Sequence, residues 1–333
     1  MQNEIKKLLL LAITAIILIT AQIPKAASST LNFTVATDKN QYGLGETVNM
    51  TGNLTSDSTP VEDALIAIEV RDPEDIPFIF RTRPTGNLTG GNWPLNFTQL
   101  FPSDSQGNPK YSFEKGSFLY IFFTVKNFDT ISHPVIICIT LYDPSGAPIG
   151  SRYPISTTLD ANSSKSVFFL ATMIPDSAAE GTATIYANAY SDFPKDGGFP
   201  YCPEKMVTFQ ITESGTSSKS TFTLESNGPI DGAFELTFKI PSGEAKIGNY
   251  TIYASSYYQE TLVTINATFE VILIGDINGD GQVNIFDAIA LSVAFGYSEG
   301  DPNYNPDADL NSDKIINILD AIMFSKHFGE KAA

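Results

Sequence analysis

The chain has 333 residues, 37 of them acidic against 20 basic, for a net charge of −17. One hydrophobic core rarely grows past about 250–300 residues, so the length predicts two or three domains, and a 42% hydrophobic share is ample to pack them. The acidic balance argues against a nucleic-acid partner, which needs a basic surface, and suits solubility outside a cell and cation binding.

The N-terminus reads first as a targeting segment. Lys6 and Lys7 precede an apolar run from Leu8 to Thr20, and the small residues Ala26, Ala27 and Ser28 follow. That order is the pattern of a secretory signal, placed here at residues 1–27. The run up to Ile23 is nearly long enough to span a bilayer, so a retained anchor helix is the alternative. Either way the rest of the chain is expected at the cell surface or outside the cell, with membrane contact only through this segment if it stays uncleaved. Eight Asn-x-Ser/Thr sites follow, at Asn32, Asn49, Asn53, Asn87, Asn96, Asn162, Asn249 and Asn266. In an exported chain they are candidate glycosylation sites. The two cysteines, Cys138 and Cys202, leave two readings open: a disulfide, as exported proteins often form, or a strand-buried Cys138 and an unrelated loop thiol.

From Ser28 onward nearly every periodic segment predicts a strand. Residues 32–37, 47–54, 64–70, 118–125, 135–142, 183–189, 234–239, 249–256 and 268–274 are rich in Val, Ile, Thr, Phe and Tyr, with Gly, Pro, Asn and Asp between them. No amphipathic helices intervene, so antiparallel β-sandwiches are expected rather than a parallel sheet. Residues 36–54, ATDKNQYGLGETVNMTGNL, resemble the start of macroglobulin-like and other Ig-like surface domains, and ALIAIEVRDP at 64–73 continues the theme. The predicted fold class is mainly β: two Ig-like sandwiches followed by a small helical domain. The expected boundaries are a first sandwich at 28–110, a second at 111–214 opening near Phe113, a β unit at 215–273, and the C-terminal module at 274–333. Residues 214–220 form a Ser/Thr/Gly linker, and the 221–274 stretch supplies only about four strands, too few to close a sandwich alone. Either residues 29–110 and 216–273 make one sandwich with the second inserted, or three β units follow one another.

At Asp276 the composition changes. GDINGDGQVNIFDAIALSVAFG at 275–296 is followed, thirty-three residues on, by ADLNSDKIINILDAIMFSKHFG at 308–329, with eleven identities in twenty-one aligned positions. A repeat of this quality is hard to obtain by chance. The first copy offers Asp276, Asn278, Asp280, Asn284 and Asp287 at loop positions 1, 3, 5, 9 and 12; the second offers Asp309, Asn311, Asp313, Asn317 and Asp320. Backbone carbonyls of Gln282 and Ile315 fill position 7. Calcium takes six to eight oxygens in such a loop, position 9 often acting through a water. From Asp276 to Asp320 there are nine acidic residues and one basic one. Unneutralised, these carboxylates repel, so two calcium ions are expected and folding of this part is expected to need them. The position-12 residue is Asp rather than Glu, and a strand rather than a helix enters the first loop, which favours a structural role over a sensor switch.

These residues resemble a dockerin, a duplicated loop-then-helix module. The resemblance covers about 55 residues, roughly a sixth of the chain, and includes the link YNPDADLN at 304–311. It implies calcium at each loop and a cohesin-like or other cell-surface protein as partner. The recognition positions it implies are Ile285, Phe286, Ser292 and Val293 on the first helix, and Ile318, Leu319, Ser325 and Lys326 on the second. Where many dockerins carry hydroxyl residues at the first pair of each set, this chain is apolar, which implies a more hydrophobic contact. Lys314 stands where Gly is usual at position 6, which is expected to weaken the second site. Ile289, Ile322, Phe295 and Phe328 are expected in a core between the two helices.

No Ser-centred elbow, zinc spacing or phosphate loop is present, the only histidines are His133 and His327, and no local pattern marks a catalytic carboxylate pair. The chain is therefore expected to be non-catalytic, with the sandwiches serving adhesion, display or spacing. The alternative is a carbohydrate-binding or polysaccharide-degrading component, with Tyr201, Tyr253, Tyr257 and Tyr258 as candidate sugar-stacking residues.

Overall fold

The computed structural model describes residues 30–86, 88, 91–213, 232–243 and 245–332. The N-terminal segment, Asn87 and the 214–220 linker lie outside the described residues. In chain order the strands are β1 (Leu31–Thr37), β2 (Gln41–Gly43), β3 (Thr47–Ser56), β4 (Thr59–Pro60), β5 (Leu65–Arg71), β6 (Pro77–Pro84), β7 (Leu95–Ser103), β8 (Ser112–Glu114) and β9 (Phe118–Asn127). They continue as β10 (His133–Tyr142), β11 (Pro148–Leu159), β12 (Ser164–Met173), β13 (Gly181–Tyr190), β14 (Lys205–Thr212), β15 (Ala233–Lys239), β16 (Gly248–Tyr258) and β17 (Thr261–Ile272). Two ten-residue helices follow, α1 (Ile285–Ala294) and α2 (Ile318–His327). Among the described residues no helix is long and apolar enough to cross a membrane.

In one unit β1, β3 and β15 form a sheet, with β4 on the side of β3, and β2, β17, β16, β5 and β6 form a second. β3 alternates strictly, so Val48, Met50 and Leu54 point inward while the residues between them face water. Phe234, Leu236 and Phe238 of β15 do the same beside them. Gly52 interrupts the β3 series because a Cβ there would lie 2.2 Å from the Phe234 ring. β16 pairs antiparallel with β5, Thr251 opposite Arg71 and Ser255 opposite Ala67. Strands from the two ends of the β region thus share this core.

The other unit sets β11, β10, β13, β14 and β8 against β12, β9 and β7. Its core holds Leu119, Ile121, Phe123 and Val125 from β9 and Val135, Ile137, Ile139 and Leu141 from β10. β7 pairs with β9, Leu95 opposite Asn127 and Phe101 opposite Phe122. The expected opening of this unit near Phe113 is therefore too late by one strand. The reason is that Leu95 and Phe97 of β7 bury into the second core.

The two units meet sheet to sheet. β5 is buried along its whole length and β10 along nearly all of it, since each has its own core on one face and the other unit on the other. Phe80, Ile136, Cys138 and Tyr190 form an apolar cluster between the units. Phe80 N donates to Thr140 Oγ1 at 2.8 Å, Asn188 Nδ2 to Phe80 O at 3.2 Å, and Tyr190 OH to Arg81 O at 2.7 Å. Arg81 is buried, grips Glu204 with Nε at 2.9 Å and Nη2 at 2.7 Å, and lies 3.4 Å over the Tyr186 ring. Glu69 accepts from Arg71 Nε at 2.6 Å and from Lys195 N at 3.0 Å, and burial pushes its carboxyl above the ordinary glutamate range. Cys138 and Cys202 are both free and buried, so the disulfide reading is not realised. Strand alternation is the cause: Ile137 and Ile139 turn into the second core with Cys202, and Cys138 turns the opposite way into the junction.

The helical module joins the first unit without a spacer. β17 ends at Ile272, paired in parallel with Gly43 of β2. Leu273 and Ile277 continue the apolar cluster of that unit into Val283, Leu291, Ile316 and Phe324 of the module. Gly43 leaves room for the Ile274 side chain, which a Cβ would meet at 2.5 Å.

Candidate metal centre and its helices

The first loop bends through two left-handed residues, Gly279 at φ 71° and Gly281 at φ 83°. Those bends turn the side chains at loop positions 1, 3 and 5 inward. Asp276 accepts Asp280 N at 3.0 Å on one carboxylate oxygen and Gly281 N at 2.8 Å on the other. Asn278 Oδ1 accepts Asp280 N at 2.8 Å, and Asp280 Oδ1 accepts Gln282 N at 3.0 Å. Asp287 reaches back from α1, its Oδ1 accepting Ile277 N and Asn278 N at 2.9 and 3.0 Å and its Oδ2 accepting Asn284 N at 2.8 Å. One oxygen from each of Asp276, Asp280 and Asp287 falls within 4.8 Å of the others. Three negative oxygens at that separation repel unless a cation stands among them. The set consists of oxygen donors alone, with flexible Asn and carbonyl neighbours, and fits a hard divalent ion of calcium's kind.

The second loop repeats this hydrogen-bond pattern, although among the described residues only the first loop's three carboxylates converge that closely. Asp309 accepts Asp313 N at 3.1 Å and Lys314 N at 2.8 Å, Asn311 Oδ1 accepts Asp313 N at 2.9 Å, and Asp313 Oδ1 accepts Ile315 N at 2.9 Å. Asp320 accepts Asn311 N at 3.2 Å and Asn317 N at 2.8 Å. The differences are local. Ser312 at φ 59° and Lys314 at φ 71° occupy the left-handed positions that glycine holds in the first loop, at a cost on the order of 1 kcal/mol each. Lys314 Nζ turns outward to Glu299 at 2.7 Å. Tyr304 OH donates to Asp309 Oδ2 at 2.6 Å, and that bond, with burial and neighbouring charge, pushes the phenol up to about 12. Tyr304 is a site residue that spacing alone did not single out; its position five residues before the first ligand is the available signal.

Asn284 and Asn317 carry a second task. Each accepts from its helix, Phe286 N and Leu319 N at 2.8 Å, and each forms a reciprocal capping box with the acid three residues on. The Asn-x-x-Asp spacing was the readable sign of this. Asp287 and Asp320 are fully buried, so the same carboxylates that close the loops also start the helices. The loops also tie to the ends of the opposite helices. Gly329 N donates to Val283 O and Gly296 N to Ile316 O, both at 2.8 Å, which relates the two halves by an approximate two-fold.

α1 buries only Asp287, Leu291 and Ala294, and α2 only Asp320 and Phe324. All eight positions singled out for partner contact are exposed: Ile285, Phe286, Ser292, Val293, Ile318, Leu319, Ser325 and Lys326. Ile289, Ile322, Phe295 and Phe328, expected in a core between the helices, are instead 54%, 46%, 48% and 55% exposed. The small interhelical core is filled by Leu291, Phe324, Val283, Ile316 and Ala308, and of the four only Phe328 is seen to touch it, its ring edge-on to Phe324 at 5.8 Å. The result is an apolar outer face on both helices.

The other candidates scatter. Asn32, Asn49, Asn53, Asn96, Asn162, Asn249 and Asn266 are all exposed, while Asn87 lies outside the described residues. Of the tyrosines considered for sugar stacking, Tyr201 is buried in the second core and edge-on to Phe199 at 5.5 Å, Tyr257 stacks on the same Phe199 at 4.7 Å, and Tyr258 packs against the first core.

Residues 274–329 match the dockerin type I domain. The C-terminal module is a dockerin, a calcium-binding module that docks onto a protein partner. Comparison with curated proteins gives no match. Solved structures with partial likeness include the alkylpurine DNA glycosylase AlkC of Pseudomonas fluorescens, bound to DNA containing an abasic-site analogue, at 9% identity and TM-score 0.28 over 37% of this chain and 32% of that one. A β-glucosidase from Listeria innocua matches at 16% identity and TM-score 0.24, over 35% of this chain and 16% of that one. The C-terminal domain of wzt matches at 11% identity and TM-score 0.31, over 40% of this chain and 86% of that one. The chain thus spans a third or less of the glycosylase and the β-glucosidase, and likeness at this level bears on neither fold nor activity.

Proposed function

We propose that this chain is an exported, non-catalytic docking protein. Its dockerin holds two calcium ions, one in each loop, and engages a cohesin-like protein through the outer faces of α1 and α2. The two β units, built as one sandwich with a second inserted into it, act as the displayed or adhesive part. The observation that carries this reading is the conjunction in one small module of converging carboxylates with an apolar helix surface that stands exposed among the described residues. Ile285, Phe286 and Val293 are 58%, 64% and 68% exposed, and Ile318 and Leu319 are 61% and 52% exposed. Large apolar side chains left outside at matching positions of two helices suit a protein surface that excludes water on contact.

Calcium supplies neutralising charge to the loop carboxylates when bound. The chain's own residues do the rest: Asp287 and Asp320 hold the loop backbone and the helix starts together, which sets the direction in which the apolar residues point. The sequons at exposed asparagines and the N-terminal segment support export, and the seven exposed sites are proposed as glycan acceptors. The test is surface plasmon resonance of the full chain over a panel of immobilised cohesin domains. At least one should bind in calcium and be released by chelator, and Phe286→Ala with Leu319→Ala should abolish that binding. Failure of every cohesin to bind, or binding indifferent to chelator, contradicts the reading.

A further inference from the structure

We propose that the cleft where the two β units meet is a saccharide-binding site. It has a volume of about 640 Å³ and lies between the start of β6 on one unit and β11 and β12 on the other. That volume falls within the usual range of small-ligand pockets, and junctions between domains are where such pockets tend to occur. The walls come from both cores. Phe78 packs against the first core and Phe169 against the second, and each leaves part of its ring facing the cleft. Tyr153 stands at the mouth, 54% exposed and set edge-to-face on Phe193 at 5.2 Å.

The polar groups complete the chemistry. Arg152 is exposed; its Nη1 donates to Ser151 O at 2.8 Å, and among the described residues it has no ion-pair partner. Its guanidinium keeps further donors directed to solvent at the cleft. Asp72 faces the same space with its charge already matched, Oδ1 accepting Glu74 N and Ile76 N and Oδ2 lying 3.0 Å from Lys246 Nζ. A sugar ring presents apolar C–H faces and a rim of hydroxyls. It is recognised by aromatic surfaces combined with planar charged groups that bridge neighbouring hydroxyls. A purely apolar ligand would leave Arg152 desolvated without a partner.

The cleft is also preformed. Ser151 Oγ donates to Phe78 O at 2.7 Å across its floor, and the buried junction behind it fixes the two walls. A ligand therefore meets walls already in place, which lowers the ordering cost of a weak polar ligand. The main competitor is an extended peptide, because β11 is the edge strand of its sheet and edge strands accept added strands.

The test uses the full chain and calorimetric titration with cellotetraose, xylotetraose and trigalacturonate, and with hexaproline as the peptide arm. At least one saccharide should bind saturably, and Tyr153→Ala and Arg152→Ala should each weaken it tenfold or more. Both side chains are exposed, so circular dichroism of the variants should match the parent. Binding should persist in excess chelator, which separates this site from the calcium-dependent docking. Absence of binding by all three saccharides, equal binding by both variants, or variant-sensitive binding of hexaproline instead would overturn the proposal.

Discussion

In the β units the large fully buried side chains include Phe80, Phe123, Phe209 and Phe234; in the C-terminal module the fully buried side chains include Asp287 and Asp320. The first group gains stability by leaving water. The second loses solvation and, in the first loop, stands near further carboxylates, so it holds only with compensating hydrogen bonds and positive charge. The β units are therefore expected to be indifferent to calcium, and the module to depend on it. The absence of a spacer between β17 and the first loop makes the contrast sharper, because two differently stabilised regions share one apolar cluster through Leu273 and Ile277.

The largest effect is expected where each region is struck at its own support. Phe80→Ala empties the junction between the β units and should cost about 3–5 kcal/mol in a denaturant titration, with calcium affinity unchanged. Asp276→Ala with Asp309→Ala should remove the stabilisation that calcium gives the module, about 2.7 kcal/mol for each loop at a calcium concentration a hundredfold above Kd, read as loss of a calcium-dependent shift in Tm. If the β units also lose several degrees in that double variant, the shared cluster transmits the loss; if the Phe80 variant weakens calcium binding, the separation of the two regions is wrong. Next in size, Phe286→Ala should lower partner affinity by 2 kcal/mol or more, roughly thirtyfold, as a central apolar contact would, without altering calcium uptake.

Tyr304→Phe sharpens the comparison within the module. Losing the bond that orients Asp309 should weaken the second loop about tenfold and leave the first untouched, seen as a widened separation of two binding steps. The smallest effect concerns pH. Glu69, raised above its ordinary value near 4.5 by burial, binds protons when folded at pH values where the unfolded chain has released them. Its contribution to stability is full below about 4.5 and is lost as pH rises through the raised value. Denaturation midpoints measured from pH 4 to 8 should show that decline in the parent and a flatter profile in Glu69→Gln.

The strands legible in the sequence are those with one wet face, such as β3 and β9, where alternation names the inward side. β11 and β12, both edge strands, were not: β11 carries a polar run of Ser and Thr, and in β12 Phe168 and Leu170 on the exposed face hide the alternation. The continuous apolar runs of β5 and β10 were readable as strands, but not as the contact between units, because burial on both faces depends on a neighbour far away in sequence. The calcium loops were legible because a cation dictates residue type and spacing locally. The helix faces were not: α1 carries Ile285, Phe286, Ile289, Leu291 and Val293 around most of its circumference, so periodicity cannot select the three positions that are buried.

The central claim is that calcium holds the C-terminal helices in place. Titration of calcium into the metal-free full chain, followed by calorimetry and by helical circular dichroism on the same samples, tests it most directly. The expected result is uptake of about two ions per chain with a parallel gain in helix signal. Full helical signal before any calcium is added, with no change on titration, would contradict it.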